Sequence, residues 1–178
     1  MSLSTEQEQE LIKRCIDGVS SAQTQLYQLF SAKLFAICCR YASSDDQAKD
    51  MFQESFIRIF QKLPDFRFEG SFEGWLKRIT VNQCLDAIRK DKSKLFDDLE
   101  ANESVEVQFN TAADQLQAND LLVLLSKLPL GYRTVFNLYA IEGFSHQEIA
   151  VTLGISESTS KTQLFKARKW LQQRLKND

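Results

Sequence analysis

Ser158, Lys161, Thr162, Phe165, Lys166 and Lys169 follow one another at steps of three and one, the spacing that gathers side chains on one face of a helix. Their chemistry is recognition. Ammonium groups meet phosphates or guanine edges, hydroxyls donate and accept, and an exposed ring suits a thymine methyl. Covalent chemistry has little to work with. There is one histidine, His146, and the four cysteines, Cys15, Cys38, Cys39 and Cys84, show no C-x-x-C spacing. No glycine-rich loop offers to cradle a phosphate. No catalytic residue, metal or cofactor is therefore expected, and His146 reads as a surface or capping residue.

These side chains need an element to present them. Upstream, Ile149, Ala150 and Leu153 share an apolar face, Gly154 permits a positive φ, Ile155 fills the gap, and Ser156 can cap a second helix. That helix carries Ser160, Leu164, Ala167 or Arg168, Leu171 and Leu175 on its inner stripe, which leaves the first six residues outside. A small residue at Ala150 and a glycine four positions on have the spacing of a helix-turn-helix unit. A plain helical hairpin with a solvated lysine face fits the same residues.

The formal net charge of the 178 residues is -2, which argues against a generally adhesive nucleic-acid binder. The charges are segregated, however. Lys77, Arg78, Arg89, Lys90, Lys92 and Lys94 crowd one stretch, and Lys161, Lys166, Arg168, Lys169, Arg174 and Lys176 another. Between them, DDLEANESVEVQFNTAADQLQAND (97–120) holds seven acids and no Lys or Arg. Two domains with basic ends, joined by an acidic strap, describe this economically.

Every periodic segment is helical, so the fold class is all-α: two small helical domains, 1–94 and 115–178, joined by a flexible acidic linker, 95–114. The first domain reads as four helices, with one ending at Leu63 before Pro64 and Ser71 capping the last. The second contains the helix-turn-helix. No apolar run is long enough for a membrane span, and the opening MSLSTEQEQE is acidic where a signal peptide is basic and then apolar, so a cytoplasmic location without membrane insertion is expected.

Three segments in order, DDQAKDMFQESFIRIF, FEGWLKRITVNQCLDAIRK and KLPLGYRTVFNLYAIEGFSHQEIAVTLGISESTSKTQLFKAR, carry a resemblance covering about Glu10 to Leu175. The chain resembles the extracytoplasmic-function sigma factors. The resemblance implies a subunit that recruits core RNA polymerase to promoter DNA and is held in check by an anti-sigma factor. It implies a clamp-binding surface at Asp50, Gln53, Glu54 and Arg58, for which a merely solvated helix face is the competing reading. It implies minus-ten recognition by a loop from Phe66 to Ser71, by Asn82 reading a base, and by Lys77, Arg78 and Arg89 on phosphates, with Trp75 in the core. The helix from Ser158 to Lys169 would read the minus-thirty-five element, and the strap would run through the polymerase as an imitation of RNA. Ser160 stands where the family usually has valine, Gln163 where arginine is common and Lys166 where arginine predominates. The last two changes remove bidentate contacts and imply a different minus-thirty-five preference.

An ordinary helix-turn-helix regulator explains Glu142 to Leu175 but leaves Asp50 to Arg89 without a role. An enzyme is the more distant alternative.

Overall fold

The computed structural model describes residues 4–90 and 123–175, and the expected linker, 95–114, lies outside them. Every regular element among the described residues is helical. Helix α1 (Thr5–Ile16) opens on a reciprocal cap in which Gln7 N–H donates to the Ser4 side chain and the Gln7 side chain accepts from Ser4 N–H. Helix α2 (Ser20–Tyr41) buries Ala22, Leu26, Phe30, Leu34, Ile37 and Tyr41, a stripe at steps of three and four. Helix α3 (Asp45–Lys62) starts at Ser44, whose hydroxyl accepts from Gln47 N–H at 3.1 Å.

Pro64 does not end the chain's helical path at once. It sits inside a 3-10 turn, Leu63–Asp65, where its missing N–H leaves no bond unmade. Helix α4 (Phe72–Lys90) follows, capped as expected by Ser71, which accepts from Gly74 N–H at 3.1 Å. Helices α2, α3 and α4 pack on one another, with α1 against α2. Leu34, Ile59 and Leu76 are wholly buried there, and side chains of this size contribute about 1.5–3 kcal/mol each on leaving water.

In the second unit, residues 123–126 are helical, and α5 (Leu130–Phe136) runs directly into a π turn, Asn137–Ile141. Helix α6 (His146–Leu153) opens on a capping box between Ser145 and Glu148 and ends at Gly154, whose φ of 68° is the left-handed conformation that its position required. Helix α7 (Glu157–Leu175) starts where Ser156 accepts from Thr159 N–H at 3.0 Å.

The two units touch. Helix α2 packs on α5, and one apolar cluster runs from the first unit into Leu138, Ile149 and Leu164. At the seam Arg40 Nη2 lies 2.8 Å from Glu142 Oε1, with both side chains largely buried, and Asn137 Nδ2 donates to Arg40 O at 2.8 Å. Burial, and behind it the Glu142 carboxylate, push the neighbouring Tyr41 phenol well above its ordinary pKa.

Candidate nucleic-acid interface

On α7 the helical phase separates two sets of side chains. Ser160, Gln163, Leu164, Ala167 and Leu171 are buried, whereas Ser158, Lys161, Thr162, Phe165, Lys166 and Lys169 are all exposed. Phe165 is 67% exposed, so its ring is open to solvent in the middle of the basic face. Lys161 pairs with Glu157 one turn back at 2.7 Å, the Thr162 hydroxyl donates to Ser158 O, and Lys166 lies over the Tyr132 ring at 5.7 Å. Such exposed pairs are weak and exchange readily for a phosphate.

The structure amends several inner assignments. Ala167, not Arg168, takes the buried position, and Arg168 lies over the Tyr139 ring at 5.6 Å. Leu175 is 65% exposed and does not belong to the buried stripe. Gln163 is buried, so the residue at this position does not lie on the outer face and its neutrality removes no contact from it.

His146 is neither a free surface residue nor the cap, which Ser145 supplies. Its Nδ1 lies 2.9 Å from Ser160 Oγ, and its ring stacks on Tyr139 at 4.5 Å. One side chain thus ties the start of α6 to the inner face of α7. The polar residue at Ser160, where valine is usual, was the signal for such a tie.

A second basic face lies on α4. Lys77, Arg78, Asn82 and Arg89 are all exposed. Lys77 pairs with Glu73 at 2.8 Å, and Glu73 also meets Lys33; hydrogen bonds from Lys33 and then Lys77 hold its carboxyl below the usual range. Arg89 is engaged by Asp86 and donates to Thr152 O at 3.3 Å. In the loop before α4, Ser71 is exposed but Phe66 is 6% exposed. Phe66 packs with Phe72 and Trp75, centroids 5.1 Å away in each case, so it supports the loop from below and its face is not open to a base. The ring presented to solvent is Phe68, 40% exposed at a φ of 59°. The alternation of Phe66, Arg67 and Phe68 was its only signal. Trp75 is half-buried and stacked on Phe72, as its place on the apolar stripe predicts.

On α3, Asp50, Gln53 and Glu54 are exposed on one face, joined by Ile57 at 50% exposure. Arg58 turns away from them, toward α4, and donates to Asp86 Oδ2 at 2.6 Å.

Residues 26–94 match Sigma-70 region 2, and residues 118–171 match Sigma-70, region 4. The ECF RNA polymerase sigma factor SigW of Bacillus subtilis (strain 168) is 30% identical over 178 residues, covering 93% of this chain and 95% of that protein. The chain belongs to the extracytoplasmic-function (ECF) sigma factors. Among solved structures, this sigma factor is similar to CnrH in complex with the cytosolic domain of CnrY, at 26% identity and a TM-score of 0.50, covering 94% of this chain and 96% of CnrH. The fold is shared with the sigma factor RpoE of Bartonella quintana, in complex with the anti-sigma factor NepR, at 24% identity and a TM-score of 0.53, covering 87% and 97%. The protein is thus a transcription initiation factor associated with RNA polymerase. No helix among the described residues is long and apolar enough to cross a membrane.

Proposed function

We propose that this sigma factor binds core RNA polymerase in the cytoplasm and directs it to promoters through two separate faces, α4 with its preceding loop on the minus-ten element and α7 on the minus-thirty-five element. In this reading 1–94 is the polymerase-binding and minus-ten domain, 95–114 the linker, and 115–178 the minus-thirty-five domain.

The observation that carries the reading is the division of α7, with a basic and aromatic outer face on a helix that buries Ser160, Gln163, Leu164, Ala167 and Leu171 on its other side. Lys161, Lys166 and Lys169 would neutralise phosphates, and Phe165 would meet a base edge or methyl group. Asn82 is the one exposed amide beside Lys77 and Arg78, and an amide that donates and accepts together discriminates between bases. Asp50, Gln53, Glu54 and Ile57 combine charge with an exposed apolar side chain, which suits a protein partner. Arg58 serves that surface only indirectly, since its guanidinium holds Asp86. Control by an anti-sigma factor is supported by the fold shared with RpoE, a sigma factor solved in complex with the anti-sigma factor NepR.

Co-purification with core RNA polymerase tests the polymerase assignment. The Asp50→Lys/Glu54→Lys double variant should lose the enzyme while retaining its fold by circular dichroism. Unchanged co-purification would remove this surface from the account.

A further inference from the structure

We propose that a pocket between α5 and α7 seats one phosphate of the DNA backbone, held by the Gln163 amide and the Tyr132 hydroxyl, neither of which lies on the outer face of α7. The inference rests on the assignment of α7 to the minus-thirty-five element.

The pocket has a volume of about 180 Å³ and is lined by Tyr132, Ser158, Thr159, Thr162, Gln163 and Lys166. A small-molecule site spans roughly 300–1,000 Å³, so this one suits a single chemical group. Its lining offers an ammonium, an amide, a phenol and three aliphatic hydroxyls, and among the described residues that line it there is no carboxylate. Such a set carries positive charge and donates hydrogen bonds. It matches a phosphate, whose oxygens accept. Ser158 and Thr159 belong to the first turn of α7, where the partial positive charge of a 19-residue helix adds to the attraction.

Gln163 distinguishes this pocket from a chance hollow. It is 4% exposed, the most buried of the six, yet its amide makes no hydrogen bond among the described residues. Buried polar groups are ordinarily paired, so an amide left open to a pocket calls for a ligand. Glutamine also suits the place chemically, because a buried arginine would need a permanent partner for its charge, whereas an amide donates without one. Thr162 and Lys166 line the pocket and also belong to the exposed face of α7, so DNA laid on that face runs past the opening. There Lys166 Nζ lies 5.7 Å from the centre of the Tyr132 ring, which brings the charge and the phenol to the same anion.

The test uses holoenzyme reconstituted with core RNA polymerase and promoter duplexes in which each phosphate of the minus-thirty-five segment is replaced in turn by a neutral methylphosphonate. Gln163→Leu should lower promoter affinity about tenfold on every minus-thirty-five sequence, leaving the base profile unchanged. Its salt dependence should stay as in wild type, because an uncharged donor releases no counterion, whereas Lys166→Ala should reduce the slope by about one. One methylphosphonate should weaken wild type about tenfold and Gln163→Leu no further. A glutamine with only a structural role would lower the melting temperature when replaced. Gln163→Leu, which removes an unpaired buried amide, should melt at or above wild type. Tyr132→Phe keeps the ring and should lose part of the sensitivity to the same methylphosphonate; if Gln163→Leu does not fold, this variant decides. Wild-type affinity in Gln163→Leu overturns the pocket, and so do losses that add to those of every methylphosphonate. Failure of the minus-thirty-five assignment is recognised separately, by a Phe165→Ala base profile that stays as in wild type.

Discussion

Arg58, on α3, donates to Asp86, on α4, at 2.6 Å, and Arg89 one turn along α4 holds the other oxygen of the same carboxylate. Two arginines that the sequence assigns to external partners are thus stapled to each other through one acid. Burial alone would raise the Asp86 pKa, but the hydrogen bonds from Arg58 and Arg89 outweigh it and hold the carboxyl below its ordinary value. A carboxylate depressed by folding stabilises the native state above its unfolded pKa, and that contribution is lost as pH falls through the folded value. Thermal melting between about pH 5 and pH 3 should therefore show wild type losing its advantage over Asp86→Asn, the two converging at the acid end. A constant gap across this range would contradict the assignment.

His146 gives a second prediction. His146→Ala removes both the bond to Ser160 and the stack on Tyr139, and should cost about 1 kcal/mol of second-domain stability. Because Ser160 lies on the inner face of α7, the variant should also broaden minus-thirty-five preference while polymerase binding stays intact. Denaturant titration and transcription from minus-thirty-five variants report the two effects.

At Gly154 a Cβ would meet nothing within 4 Å, so substitution carries no clash. The backbone φ of 68° remains unfavourable for any other residue. Gly154→Ala should cost about 1–2 kcal/mol, read from the denaturation midpoint of the second domain.

Helical periodicity carried the reading of the fold far, because the stripes of α2, α4 and α7 are long and the serines before α3, α4, α6 and α7, namely Ser44, Ser71, Ser145 and Ser156, accept from the first turn. The outer face of α7 was legible for the same reason, since six positions on one helix share one exposure. The aromatic loop was harder to read. Phe66 and Phe68 are chemically alike, and only the chain's path after the 3-10 turn decides which one the core takes. Partners distant in sequence were not legible at all. Nothing local to Arg40 announces Glu142, and Arg58 looks free until α4 brings Asp86 beside it. Periodicity shows which face a residue lies on, but the packing of separate helices chooses what meets it there.

The most direct test of the account is run-off transcription with core RNA polymerase from templates randomised at the minus-ten and minus-thirty-five positions. The account predicts that wild-type protein shows a base preference at both elements. Asn82→Ala should flatten it at one minus-ten position by about 1–3 kcal/mol, Phe165→Ala should alter only the minus-thirty-five profile, and Lys161→Ala should weaken transcription from all templates alike. An unchanged profile in Asn82→Ala, or loss of both preferences from a change on either face, would contradict the assignment of the two elements to two separate faces.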